Sequence, residues 1–392
     1  MIYYETAGES HGVGIVTVIT GFPSRLVVDI DFIQQELSRR QKGYGSGPRM
    51  QLEKDTVEIL SGVRWKKTLG SPIATLVRNR DYANWIKNMD PMGDPYAAYQ
   101  EVTVPRPGHA DLAGAVKYHF SDIRHVIERA SARETVGRCV AGSFAKLFLA
   151  PLGIEVRGFV ESIGGVSARS DFSIEERAER SRTSSLTTYD EESEKEMIAL
   201  IDQARERGDS VGGNFVVVAF GVLPGLGDYT SAPRRLDAQL ASALMSIPSV
   251  KGVEIGDGFL SSRLPGSEVH DAIYYNSSRK PFPFYRTTYR SGGIEGGVST
   301  GEPIVVRCAM KPIPTLRKGL PSVDIHDKTE VNARYERSDV CAVPRGVVVG
   351  EAMMAWVIAA AVREKFGGDS MEEVLDHYQH YREYLGRFPE GE

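Results

Sequence analysis

Gly8-Glu9-Ser10-His11-Gly12-Val13-Gly14-Ile15-Val16-Thr17-Val18-Ile19-Thr20 is the first patterned stretch of the chain. Its opening five residues match G-x-S-x-G, the turn that lifts a serine nucleophile in α/β hydrolases. That turn needs a strand before it and a helix after it. Here the residues that follow, Gly14 to Thr20, are rich in β-branched side chains and read as a strand. The context therefore disfavours both the hydrolase fold and a serine hydrolase built on Ser10. A glycine-flanked turn remains, presenting Glu9, Ser10 and His11. Its plain alternative is a β-turn with an exposed histidine.

Working outward, further strand-like runs are Ile73–Val77, Asn214–Phe220 and Pro303–Cys308. Helix-like runs cover Asp31–Arg40, Ala132–Leu149, Ser193–Arg207, Arg234–Ser246 and Val348–Phe366. The two kinds alternate without βαβ spacing. The pattern points to an α+β fold, with helices covering antiparallel or mixed sheet. No Ser-, Pro- or Gln-rich linker splits the chain, so residues 1–392 are expected to form one interwoven catalytic domain. A tail from about 378 to 392 is expected to be mobile. Residues 79–101 and 276–297 read as long irregular loops, which in a folded protein are usually functional or disordered. Their aromatic content (Trp85, Tyr96, Tyr99; Phe282, Phe284, Tyr289) argues against disorder. They are expected to line a site or contact a subunit.

Hydrophobic residues make up 41% and charged residues 25% of the 392, ordinary values for a globular protein. The net charge of −5 gives no general attraction to nucleic acid or to a membrane surface. Cys139, Cys308 and Cys341 are far apart and odd in number, which argues against a disulfide framework or a zinc cage. Buried free thiols are expected, and no metal. No signal-peptide pattern opens the chain. The longest apolar run, Ala352 to Val362, is too short to span a bilayer. A cytoplasmic location is expected.

Leu37-Ser38-Arg39-Arg40-Gln41-Lys42-Gly43-Tyr44-Gly45-Ser46-Gly47-Pro48-Arg49 places cations at the end of a helix-like run, then a glycine-rich loop. Helix termination explains the cations, since the C-terminal dipole favours them. An anion-binding loop is the functional alternative. No G-K-[ST] follows, so it is not a P-loop.

Pro105-Arg106-Pro107-Gly108-His109-Ala110-Asp111 leads on to Glu128-Arg129-Ala130-Ser131-Ala132-Arg133-Glu134. Ser131 and Glu134 fit a capping box that opens a helix. Val136, Cys139, Val140, Phe144 and Leu147 follow at helical spacing, and Pro151 and Gly153 end it. A helix N-terminus attracts anions. Arg129 and Arg133 flank it, where cations are misplaced by ~0.3–1 kcal/mol each. An anionic ligand would compensate, so a site for a small, multiply anionic substrate is expected here. His109, between Arg106 and Asp111, is placed for acid–base work. A lone histidine is more often structural.

Gly292–Gly301 is glycine-rich, and Lys311-Pro312-Ile313-Pro314-Thr315 follows a strand. Glycines permit close approach to a flat or phosphorylated ligand; a flexible hairpin is the plain alternative. No dinucleotide fingerprint in a βαβ context is present. In Glu336-Arg337-Ser338-Asp339-Val340-Cys341-Ala342-Val343-Pro344-Arg345, two arginines bracket an aspartate. This is either a surface salt-bridge cluster or an ionised carboxylate available as a base.

Taken together, these segments resemble chorismate synthase. The resemblance rests on residues 8–12, 106–112, 129–135 and 337–344, with 246–258 and 311–315 also matching, and it runs from about Tyr3 to Phe366. It implies a β-α-β sandwich assembled as a homotetramer. It implies a lyase converting 5-enolpyruvylshikimate 3-phosphate to chorismate and phosphate by anti-1,4-elimination. The cofactor implied is reduced FMN, lending an electron transiently with no net redox change.

By the same resemblance, His11 protonates the departing phosphate and His109 keeps the flavin correctly protonated. Asp339, helped by Ser10 and Ser131, assists proton removal. Flavin contacts carry over to Arg129, Ala130, Ser131, Pro248, Ser249, Gly296, Lys311, Pro312, Ile313, Pro314, Thr315 and Arg337. Substrate or NADP contacts carry over to Arg40, Ser46, Arg49, Arg106, Arg133 and Arg337. Ser46 stands where the family has arginine, leaving Arg49 to replace that contact or the contact weaker. Tyr289 stands where asparagine is expected. NADPH is one source of reducing power for the flavin. No reductase segment is visible, so an external supply is expected. A non-catalytic flavin- or phosphate-binding protein is the other alternative, and the joint presence of His11, His109 and Asp339 argues against it.

Overall fold

The computed structural model describes residues 1–45, 55–169, 171–336 and 339–389. Ser46, Arg49 and Arg337 fall outside the described residues. Four strands, β1 (Tyr3–Ala7), β2 (Gly14–Thr20), β3 (Val57–Ser61) and β4 (Ile73–Arg78), form one sheet in the order β1-β2-β4-β3. A second sheet holds β5 (Glu155–Ile163), β6 (Val166–Ser167), β7 (Gly213–Phe220), β8 (Val250–Ile255) and β9 (Ile304–Met310), in the order β8-β9-β7-β5-β6. Every strand pair in both sheets is antiparallel. With the helices, this is an α+β architecture.

The run that opened the sequence is strand β2, with the bounds expected of it. Ile15, Thr17 and Ile19 are buried and Val18 is exposed, the two-residue alternation of a sheet with one covered face. Residues 8–13 are therefore the turn of a β1–β2 hairpin. Gly8 takes φ +118° there, and a Cβ would stand 2.1 Å from the Gly14 carbonyl oxygen.

The helices used below are α1 (Ile30–Gln41), α2 (Asp111–Tyr118), α3 (Arg124–Arg129), α4 (Thr135–Leu149), α5 (Glu191–Glu206), α6 (Leu236–Met245), α7 (Val343–Phe366) and α8 (Met371–Arg387). Helix α4 packs on β2 of the first sheet. Helix α7 packs on α4 and on β5 and β7 of the second sheet. Two glycines of α4 permit these approaches. A Cβ at Gly137 would meet the Thr6 and Thr17 side chains at 2.7 and 2.8 Å, and one at Gly142 would meet the Ala352 backbone at 2.4 Å.

Two sequence expectations change here. The apolar run read as too short to span a bilayer belongs to α7, which starts at Val343 rather than Val348 and is 24 residues long. By length and composition alone it could cross a membrane, but 89% of its most apolar window is buried within the fold. It is apolar on all sides because sheet and helices surround it. Pro344 opens it, where a missing N–H costs nothing. The tail from 378 belongs in part to α8, capped by a Ser370/Glu373 box, with Tyr378 and Leu385 buried. Residues 390–392 fall outside the described residues. One hydrophobic cluster runs from Ile2 to Leu385. Cys139, Cys308 and Cys341 are free and buried, and burial pushes their thiols up to about 12.

Candidate active site

The turn at 8–12 is held inward by Glu128 on α3. The Glu128 carbonyl accepts from Ser10 N (2.9 Å), and its carboxylate accepts from His11 N (2.8 Å). The same carboxylate meets His11 Nδ1 at 2.9 Å. Ser10 and His11 are consequently buried, which replaces the exposed histidine of the plain alternative. Trp85, from the first long loop, stacks on the imidazole at 3.9 Å between centroids. Arg124 lies 3.4 Å from Glu128 and 5.3 Å from the Trp85 ring. Burial would raise the Glu128 carboxyl. The hydrogen bond and charge of His11, with Arg124 behind, outweigh burial and hold it below its ordinary value.

A second triad forms across 105–111. Asp111, fully buried at the start of α2, accepts from Arg106 N (2.9 Å) and Nε (2.8 Å) and meets His109 Nδ1 at 2.5 Å. Arg106 Nη2 also lies 3.1 Å from His109 Nδ1. Burial opposes ionisation of Asp111, but His109 and Arg106 overcome it and hold the carboxyl well below the carboxylate range. Gly108, at φ +80°, lets this loop lie against Pro314. Lys311 Nζ donates to the Gly108 carbonyl, and Arg106 Nη1 donates to Thr315 Oγ1 at 3.2 Å.

The capping box at Ser131–Glu134 is only half present. Ser131 Oγ accepts from Arg133 N and caps a 3-10 turn at Ala132–Glu134, after which α4 begins at Thr135. Glu134 turns away to Thr6 Oγ1 (3.0 Å) and to Arg138. The two arginines at this helix start are also compensated from within the chain. Arg129 donates to the Thr6 and Gly8 carbonyls. Arg133 pairs with Asp55 at 2.6 Å. Asp55 pairs equally with Arg40 (2.6 Å), whose Nη1 also reaches Thr135 Oγ1. Arg40 thus ends α1 facing inward, not as a solvated terminating cation. Its Nε is buried without a hydrogen bond among the described residues.

These groups converge on one cavity of about 540 Å³. Ser10, His11, Arg40, Arg106, His109, Ala130, Ser131, Arg133, Pro248, Ser249, Lys311, Ile313, Pro314, Thr315 and Asp339 all line it. Among the described residues of the sequence reading, Arg129, Pro312 and Gly296 do not. Arg129 faces a smaller depression of about 380 Å³ that shares Ala130, Ser131 and Pro248 with the cavity. Pro312 is not on the wall. Gly296 sits in the turn of a hairpin, Ile294–Glu295 with Val298–Ser299, beside Tyr229. The second long loop, like Gly296, supplies no cavity residue in this chain.

The motifs missed three groups that the geometry makes prominent. Asp55 bridges two arginines, Glu128 holds His11, and Arg345 forks onto Asp339. In the sequence Arg345 is one of two arginines bracketing an aspartate, and Glu128 opens a motif without being given a role. Asp55 meets Arg40 across 15 residues and Arg133 across 78, and Glu128 meets His11 across 117, so no local pattern marks them.

The arrangement offers cations for several anionic groups and two histidines each backed by a carboxylate. An apolar wall of Ile127, Ala130, Ile247, Pro248, Ile313 and Pro314 completes it. Comparison with known proteins gives these features a family. The chorismate synthase family model matches residues 2–362. Chorismate synthase of Geobacter sulfurreducens is 51% identical, over 99% of this chain and all of that protein. That of Desulforudis audaxviator is 51% identical, over 98% of each. A crystal structure of chorismate synthase superposes with a TM-score of 0.80 at 39% identity, over 99% of both chains. The chain belongs to the chorismate synthase family, lyases of the shikimate pathway.

Proposed function

We propose that this chain converts 5-enolpyruvylshikimate 3-phosphate to chorismate and phosphate by anti-1,4-elimination, with reduced FMN bound and no net redox change. The observation that carries the reading is the convergence of Arg40, Arg106 and Arg133 with His11 and His109 on one cavity. A substrate with a phosphate and two carboxylates needs such a set of forked donors.

A flavin fits the residues present. Ala130, Ile247, Pro248, Ile313 and Pro314 offer apolar surface for a flat ring, and Ser131, Ser249, Lys311 and Thr315 add polar groups beside it. Arg129, at the adjoining depression, suits an anionic tail. When bound, reduced FMN supplies a transient electron that eases loss of phosphate.

The chain's residues supply position and protons. Glu128 holds His11 at Nδ1, so Nε2 is the nitrogen through which His11 gives a proton to the departing phosphate oxygen. Asp111 and Arg106 fix the His109 ring on the cavity that Lys311 and Pro314 also line, where it would maintain the protonation of a bound flavin. Asp339, Ser10 and Ser131 share the wall where the ring proton leaves. Reduced flavin comes from outside the chain in this proposal.

The β-α-β sandwich shared with the family is supported by the order sheet, α4 and α7, sheet. A homotetramer belongs to the same proposal. Its support is that Gly296 lies off this chain's cavity, while Ile273, Tyr274 and Tyr275 are exposed on a strand whose pairing residue Arg286 bonds Glu295, the neighbour of Gly296. Replacing His109→Ala is expected to lower turnover at least ~100-fold, the lower range for a general acid–base group. Steady-state assay of phosphate release measures it, and unchanged turnover would remove His109 from the mechanism.

A further inference from the structure

Arg345 lines the cavity but has no part in the reading above. It stands on the first turn of α7, where the helix dipole disfavours a cation. Its fork closes on Asp339, with Nη2 at 3.1 Å from Oδ1 and Nη1 against Oδ2. The pair is not sealed, for both side chains retain about 15% exposure and both face the cavity. Arg345 Nε is buried and donates no hydrogen bond among the described residues. Burial pulls the guanidinium below its ordinary value; Asp339 opposes that shift and Arg40 adds to it. Among the described residues, Arg40 and Arg133 pair with Asp55 on this wall, and Arg345 pairs with Asp339.

We propose that the Arg345–Asp339 pair is a placeholder: an anionic group of the substrate takes the Arg345 fork, and Asp339 is released into the cavity. The proposal rests on the lyase reading for the substrate and for the work of Asp339. The exchange replaces one carboxylate by another anion, so the guanidinium is never left buried and bare, the state that makes breaking such pairs costly. It also ties the freeing of Asp339 to the arrival of substrate.

Equilibrium binding to the full chain, without flavin, tests the exchange. Calorimetric titrations would use 5-enolpyruvylshikimate 3-phosphate and, separately, inorganic phosphate. The variants are Asp339→Asn, Arg345→Gln, Arg345→Lys and the double variant Asp339→Asn/Arg345→Gln. Asp339→Asn is expected to tighten substrate binding about tenfold, the scale of one charge-assisted contact, because it removes the competitor for Arg345. Arg345→Gln is expected to weaken binding by a similar factor, with Arg345→Lys recovering part. In the Arg345→Gln background, Asp339→Asn is expected to change binding less than about twofold. A static structural pair gives unchanged or weaker binding in Asp339→Asn. That result, or an equal gain in both backgrounds, overturns the proposal. Circular dichroism checks folding, and if Arg345→Gln does not fold, Asp339→Asn and Arg345→Lys decide. Phosphate reads the exchange independently of substrate identity. If phosphate follows the pattern while the substrate fails to bind, the lyase reading falls and the placeholder stands.

Discussion

Asp111 has no exposed surface and accepts from Arg106 three ways while meeting His109, so its charge is supported almost wholly by the site. Its carboxyl is held below the ordinary 3.8, so the sign of the pH effect is set. A depressed carboxyl contributes its full stability above its unfolded value, and the contribution is lost as pH falls through the folded value. Glu128 acts in the same direction. Urea unfolding from pH 7 down to pH 3 is expected to show stability declining once pH drops below about 4. Asp111→Asn is expected to lose about 1–3 kcal/mol at neutral pH, the cost of weakening a buried charged hydrogen-bond centre, and to show a flatter acid limb. An acid limb of unchanged slope would contradict this placement of the charge. His11, His109, Arg106 and Arg133 were legible in the sequence because each lies within a short, unusual motif. Their carboxylate holders were mostly not. Asp111 lies two residues from His109, but Asp55 and Glu128 reach their partners only through the fold.

At the scale of elements, three helices are locked by charge as well as packing. Arg39 and Glu36 on α1, Lys146 on α4 and Glu351 on α7 form a closed set, with Arg39–Glu351 at 2.7 Å, Lys146–Glu351 at 2.6 Å and Lys146–Glu36 at 2.5 Å. Burial would raise the Glu351 carboxyl, but Lys146 and Arg39 hold it below its usual value. Glu351 is therefore the common partner of two cations. Glu351→Ala is expected to cost about 3 kcal/mol, because it leaves Arg39 and the buried Lys146 to share Glu36 alone. Denaturant unfolding measures it, and a loss under about 1 kcal/mol would show the cations repaired by water. Because Arg39 is engaged on the α7 side, its neighbour Arg40 is free to turn toward Asp55 and the cavity. Strand β2 and helix α4 were readable because their apolar periods are clean. Strand β5 was not. Glu155, Arg157, Gly158 and Glu161 break its pattern, and Gly158 is there because a Cβ would press on Val347 of α7 at 2.7 Å. Tertiary contact, not local preference, decided that strand.

In the whole molecule, the site draws on nearly the full length of the chain, from Ser10 to Val349. One apolar cluster spanning Ile2 to Leu385 brings those ends together. The family and the α+β class were visible in the sequence, because several specific motifs occur in order. The resemblance implied that those motifs share one site, but no local pattern did, since their meeting depends on α4 packing on β2 and α7 packing on α4, β5 and β7. The central claim is that this cavity uses a reduced flavin to expel phosphate without consuming the flavin's electrons. Anaerobic release of phosphate from 5-enolpyruvylshikimate 3-phosphate, followed side by side with chemically reduced and with oxidised FMN, tests it most directly. Release, with chorismate formed in equal amount, is expected for reduced FMN and none for oxidised FMN. Equal rates with both would contradict it.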